Sequence, residues 1–237
     1  MHIGLYNLDS KIPNYALMKI SKWHKSQGNT IAWYSPIEHP CFDKVYASSI
    51  FTWTDKSYVN KNIITGGTGF DIKSKLPQEI DDCEPDYSLY PNFNKALGFL
   101  TRGCIRNCPE CFVPEKEGQI RAYRDIETVA QNRKEIILMD NNVLACNHGL
   151  KQIERIIDLK VKVDFNQGLD AQLITPEIAQ LLSKVKWLKP LRLACDNELM
   201  IKPVIKAVEL LRKYNCTPKR YFVYLLVNCL LYTSDAA

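Results

Sequence analysis

The head of the chain alternates short β-rich runs with a helical period. HIGLYN (His2 to Asn7) reads as a buried strand and TIAWYS (Thr30 to Ser35) as a second. Between them Asn14 to Gln27 carries apolar residues at Tyr15, Leu17, Met18, Ile20 and Trp23, the spacing of an amphipathic helix. KVYASSIF and NIITGG are two further strand candidates, the latter closed by Gly66, Gly67 and Gly69. Strands alternating with helical stretches predict a small doubly wound α/β domain over residues 1–74. The polar, Pro-containing stretch 75–91 has no period and predicts a linker.

From residue 92 to 228 the alternation resumes with a regular beat. ALGFL, EIILMD, KVDFN, PLRLAC and RYFVYLLV (Arg220 to Val227) read as strands. IETVAQNRK, GLKQIERII, TPEIAQLLSKV and MIKPVIKAVELLRKY read as helices. The third of these has Thr175 as N-cap and Pro176 at its first position, and the fourth tolerates Pro203 in its first turn. Repeated βα units make a parallel sheet, and in such folds the chemistry gathers at the carboxyl ends of the strands.

Composition narrows the class. With 46% hydrophobic and 24% charged residues in 237, disordered, collagen-like and coiled-coil chains are excluded. The net charge of +5 is spread without a block of like charges, so it permits an anionic partner without requiring one. No apolar run reaches the ~18 residues needed to cross a bilayer, and the start lacks the layout of a signal peptide. A cytoplasmic protein without a membrane partner is expected. The nine cysteines are 41, 83, 104, 108, 111, 146, 195, 216 and 229, and for such a chain this number favours metal or redox chemistry over a disulfide framework.

Three of them stand in TRGCIRNCPECFVP, where Cys104, Cys108 and Cys111 have the spacing Cys-x3-Cys-x2-Cys directly after a predicted strand. Three thiolates cannot close a cubane of four irons, so a 4Fe-4S cluster held here keeps one iron open to a non-protein ligand. A structural zinc site, with Cys146 or His148 as fourth ligand, is the alternative, as is a simple electron-transfer cluster. The remaining cysteines, the isolated histidines and the tryptophans have no ligand spacing and are expected to pack.

At these residues the chain resembles the radical S-adenosylmethionine superfamily, over roughly Asn92 to Asn228. The resemblance implies a partial (β/α) barrel, a 4Fe-4S cluster on Cys104, Cys108 and Cys111, and S-adenosylmethionine chelated to the open iron. It also implies a reductant such as flavodoxin or ferredoxin. The implied reaction is reductive cleavage of S-adenosylmethionine to methionine and a 5′-deoxyadenosyl radical, which acts on a substrate the sequence does not name. Many members have an aromatic residue before the third cysteine; here Glu110 stands there and Phe112 follows.

By the same resemblance, cofactor contacts are expected where the strands end. Asp140, Asn141 and Asn142 look like the second-strand end that binds the methionine amine, or else an Asx-rich turn. Gln167 and Asp170 end the third strand. Arg192 lies in the fourth and Asp196 follows it, as a ribose- or amine-binding carboxylate or a helix N-cap.

The amino-terminal domain looks like the cobalamin-binding domain that some family members carry. The signature Asp-x-His-x-x-Gly is broken here, since Asp9 is followed by Lys11 and Asn14 at the histidine and glycine positions, although Gly66 and Gly67 match the later pair. A vestigial fold without histidine-ligated cobalamin is expected. The methylthiotransferase branch is disfavoured, because only Cys41 and Cys83 precede the core. A radical enzyme is thus the first function predicted, and a non-catalytic zinc or electron-transfer module the second. The third is a nucleic-acid modifying enzyme that touches phosphates through Lys202, Lys206, Arg212 and Lys213. The final residues 229–237, CLLYTSDAA, break the βα beat and look like a translated sequencing adapter, which predicts a core interrupted after its fifth strand.

Overall fold

The computed structural model describes residues 1–37, 41–109, 111–216 and 221–225. Glu110, the ends of the expected fifth strand (Arg220, Leu226 and Val227) and the adapter-like tail lie outside the described residues. The chain divides into two compact units, Met1–Phe93 and Asn94–Ala237. Both are mixed α/β with parallel sheets. Among the described residues no helix is long and apolar enough to cross a membrane.

The first unit contains β1 (His2–Asn7), α1 (Tyr15–Ser26), β2 (Thr30–Trp33), β3 (Lys44–Ser48), β4 (Ile64–Gly66) and α2 (Gln78–Asp81). The strands form one sheet in the order β2-β1-β3-β4, and every neighbouring pair is parallel. Asn14 starts α1 by accepting from the Leu17 N–H at 3.1 Å, so the Asn stops one end of the apolar period and caps it. Helix and sheet meet in a core of Ile3, Leu5, Leu17, Ile20 and Ile80.

Ile80 corrects the expected linker. Residues 75–91 contain α2 and a 3-10 turn over Tyr87–Leu89, and Ile80 and Tyr87 are buried. Asp81 ion-pairs at 2.7 Å with Lys19, whose own side chain is 1% exposed on the inner face of α1. Asp86 likewise accepts from Ser21 at 2.6 Å and pairs with Lys25 at 2.7 Å. A four-residue helix shows no period in sequence, so the stretch reads as structureless although its few apolar residues complete the core.

The second unit opens with β5 (Ala96–Gly98) and β6 (Thr101–Arg102), followed by α3 (Val113–Glu117), β7 (Arg121–Ala122), α4 (Ile126–Ala130) and β8 (Glu135–Leu138). It continues with α5 (Asn147–Asp158), β9 (Lys162–Phe165), α6 (Pro176–Leu182), β10 (Lys186–Trp187), β11 (Leu191–Cys195), α7 (Ile201–Lys213) and β12 (Tyr221–Leu225). Its main sheet has the order β10-β9-β8-β5, all parallel, so the strand order steps in one direction along the chain. The parallel pair β11-β12 is tied to the end of β9 through the Leu169 N–H, which donates to the Arg192 carbonyl at 2.8 Å.

The expected helices form for legible reasons. Thr175 caps α6 by accepting from Ile178 N–H at 3.3 Å, with Pro176 beside it. In α5 Gly149 lies so close to the preceding turn that a Cβ would come within 2.1 Å of the Val143 carbonyl oxygen. Buried Ile136, Leu138, Ile153, Ile156, Leu191 and Leu193 belong to one core cluster, each worth ~1.5–3 kcal/mol on burial. Lys202, Lys206, Arg212 and Lys213 are exposed on α7, opposite buried Val204, Ala207 and Leu211. Three elements depart from expectation, the first being the helix expected over IETVAQNRK, which stops at Ala130 because Gln131 and Asn132 turn left-handed, with φ 43 and φ 66. ALGFL forms a strand only to Gly98, after which the chain turns into the antiparallel pair β6-β7, and β10 precedes β11 where lysines hide the apolar signal.

Candidate functional site

The cysteine loop starts where β6 ends. Gly103 has φ +83, and a Cβ on it would lie 2.3 Å from the Gln119 carbonyl oxygen, so only glycine fits this close approach. Its N–H donates to Glu117 Oε2 at 2.9 Å, and the Cys104 N–H donates to the Gly118 carbonyl at 3.2 Å. Cys104, Cys108 and Cys111 are free thiols, the first half-buried and the other two exposed. Cys104 Sγ accepts from the Arg106 N–H at 3.3 Å and from Asn142 Nδ2 at 3.6 Å.

A second set of contacts holds the middle of the loop. Arg106 donates through Nε and Nη2 to Asp170 Oδ2, both at 2.9 Å, and Asn142 Nδ2 reaches the same oxygen at 3.0 Å. Asp170 Oδ1 accepts from the Gln172 N–H at 3.1 Å. The ends of β6, β8 and β9 are thereby drawn together around Cys104.

Electrostatics link the same groups. Although Cys108 is exposed, partial desolvation by the loop pushes its thiol pKa up, and the neighbouring Cys111, Cys104 and Asp196 add to it, with Arg106 opposing. The Asp196 carboxyl is raised by burial and then by Asp170.

The structure sorts the residues singled out by sequence. Asn142 and Asp170 meet at the cysteine loop, Asp196 acts on Cys108 through its charge, and Asn141 reaches the loop indirectly, donating to Glu117 Oε2 at 2.9 Å. Asp140 is buried beneath, its carboxylate taken up by the Leu100 N–H at 3.0 Å, the Thr101 N–H at 2.6 Å and the Thr101 hydroxyl at 2.7 Å. It pins the turn between β5 and β6, so its carboxylate faces that turn rather than a cofactor. Arg192 is spent on an ion pair with Asp164. Gln167 is exposed, and Phe112, 50% exposed, stands at the start of α3.

Sequence reasoning missed Glu117, Arg106 and Asp164. A single acid in EKEG and a single arginine inside the cysteine spacing look like solvated charge until the chain that brings their partners is folded.

Donor chemistry fits a cluster with an open position. The three thiols come from one loop, and Asn142 Oδ1 is buried beside Cys104 without a hydrogen-bond partner, an acceptor able to take a donor from a bound group. Among the described residues no three His, Cys, Asp or Glu side chains converge as ligands to one metal ion. A cluster that takes each thiolate on a separate iron does not require that convergence.

In the first unit the sheet order reverses between β1 and β3, the place where doubly wound folds bind ligands. Asp9 fills it. Its carboxylate accepts from the Ile50 N–H at 2.9 Å, the Phe51 N–H at 3.0 Å, and the Ser49 and Thr54 hydroxyls, each at 2.7 Å. Gly67, with φ +95, packs so close that a Cβ would lie 2.3 Å from the Ser49 carbonyl oxygen. Beyond this knot Phe51 and Trp53 stack at 4.8 Å, and Trp53 is 80% exposed. The glycines expected to match a cobalamin signature thus serve the chain's own loop, and Lys11 is exposed.

No family model matches the chain, and no curated protein matches it.

Proposed function

We propose that the second unit is the core of a radical S-adenosylmethionine enzyme of partial (β/α)-barrel type. It would catalyse reductive cleavage of S-adenosylmethionine on a 4Fe-4S cluster. The observation that carries the reading is the loop of three free thiols, Cys104, Cys108 and Cys111, set after the first strand of a parallel sheet whose order steps one way along the chain. When bound, the cluster supplies one electron and S-adenosylmethionine supplies the radical chemistry, acting on a substrate still to be identified and fed by a flavodoxin or ferredoxin.

The chain's own residues hold and orient. Cys104, Cys108 and Cys111 would each take one iron. The Arg106 N–H and Asn142 Nδ2 donate to Cys104 Sγ, and hydrogen bonds to cluster sulfurs are a recognised means of tuning potential. Asn142 Oδ1 is the free acceptor for a donor on the cofactor. Asp170 keeps Arg106 against the loop, so a positive charge stays beside the thiolates.

Anaerobic reconstitution with iron and sulfide, followed by electron paramagnetic resonance with and without S-adenosylmethionine, tests this. A brown protein whose signal shifts with S-adenosylmethionine is expected. A colourless protein that binds one zinc ion overturns it in favour of a zinc module.

A further inference from the structure

We propose that Glu117 is the positioning residue of the cysteine loop and sets the place of Cys104 before any cluster is inserted. The inference rests on reading Cys104, Cys108 and Cys111 as cluster ligands. Glu117 ends α3, the short helix that begins just after the third cysteine, and its side chain is only 10% exposed. Its two oxygens collect donors from three separate positions. Oε1 pairs with Arg102 Nη2 at 2.8 Å, while Oε2 accepts from the Gly103 N–H at 2.9 Å and from Asn141 Nδ2 at 2.9 Å. Gly118 then gives its carbonyl to the Cys104 N–H at 3.2 Å.

The chain leaving the third cysteine therefore returns to grip the two residues at the first. Both N–H groups that flank the Gly103 α-carbon are consumed by Glu117 and Gly118, which fixes the direction in which the Cys104 side chain leaves the backbone. Asn141 ties the end of β8 to the same carboxylate, next to Asn142, whose amide touches Cys104 Sγ. A nearly buried carboxylate with one guanidinium and two N–H partners makes charge-assisted bonds, the strong class. An alanine here leaves Gly103 N–H and Arg102 without them. Because Glu117 acts through the backbone of a ligand-bearing loop, its loss should be read first at the Cys104 sulfur, ahead of the fold as a whole.

The test uses the full chain without metal and follows alkylation of each cysteine by iodoacetamide with peptide mass spectrometry. In the wild type Cys104 should react more slowly than Cys108 and Cys111. Glu117→Ala should speed Cys104 on the order of tenfold, the size expected if, of the three bonds lost, the charge-assisted one to the Gly103 N–H is what holds Cys104. Exposed Cys41 should not change, and buried Cys216 should stay unreactive. Glu117→Gln should fall between, since its amide oxygen still accepts from Gly103 but its NH2 opposes Arg102. If Glu117→Ala unfolds the unit and exposes Cys216, the Gln variant decides. A folded variant whose Cys104 rate stays within about twofold of wild type overturns the proposal.

After reconstitution, Glu117→Ala should also surrender iron to a chelator about tenfold faster than wild type. A wild type that takes up no iron and sulfide would overturn the cluster reading alone, because the alkylation result still judges Glu117.

Discussion

Asp140 is a buried carboxylate and Asp86 a half-buried one, and they pull acid stability in opposite directions. Burial dominates at Asp140 and pushes its carboxyl up to about 6, against hydrogen bonds from Thr101 and Leu100. The folded state then holds this proton more tightly than the unfolded chain. Stability from the site is full below the ordinary value of 3.8 and falls as the pH rises toward 6. Burial also acts upward on Asp86, but Lys25, Ser21 and Ser88 outweigh it and bring the carboxyl down to about 2. That contribution is present above 3.8 and is lost as the pH falls toward 2. Asp86→Ala should therefore cost roughly 2 kcal/mol at neutral pH and progressively less below pH ~4, checked by urea denaturation across the acid range. At the cysteine loop, Ala in place of any one of Cys104, Cys108 and Cys111 should abolish cluster-dependent cleavage of S-adenosylmethionine, measured by chromatography of its products. Cys41→Ala should leave it measurable. The cysteines were legible because their spacing is itself the signal. Asp140 was legible as important but not in its role, since which way a carboxylate points is decided by Leu100 and Thr101, far away in sequence.

Among the elements, those with a full amphipathic period could be read directly: α1, α5, α6 and α7 stand where their apolar spacing places them, with side-chain caps at α1 and α6. The elements that escaped are short. β6, β7 and β10 have two residues each, and α2 has four, too few for any period to register. Two of them form the hairpin-like pair that carries the cysteine loop, so the most functional part of the unit is also the least patterned. Gly103 is its tightest point. Gly103→Ala combines a positive φ with a 2.3 Å clash against the Gln119 carbonyl oxygen, and should cost at least ~1 kcal/mol while sharply reducing iron uptake in reconstitution. At the other end of the scale, Thr175→Ala removes one N-cap bond from α6 and should lower stability by ~1 kcal/mol without altering iron uptake. Thermal melts and iron assays on the same two variants separate the effects.

For the whole molecule, each unit has its own hydrophobic cluster, one around Ile3, Leu5 and Leu17 and the other around Ile136, Ile153 and Leu191. Unfolding should accordingly show two transitions, and loading the cluster should raise only the one that belongs to the second unit, because a ligand stabilises the state that binds it. Differential scanning calorimetry before and after reconstitution reads this directly. A single transition that moves as a whole would contradict it.

The division has a consequence during synthesis. Every residue of the first core is translated before Cys104, and chains grow at ~5–20 residues per second with domains folding as they emerge. The first unit should thus reach its native form on the ribosome whether or not the cell has iron to spare. In iron-starved cells, limited proteolysis of nascent and newly released chains should yield a resistant fragment ending near Phe93 as abundantly as in iron-replete cells, while cleavage within the loop of Cys104, Cys108 and Cys111 becomes faster than in the loaded protein.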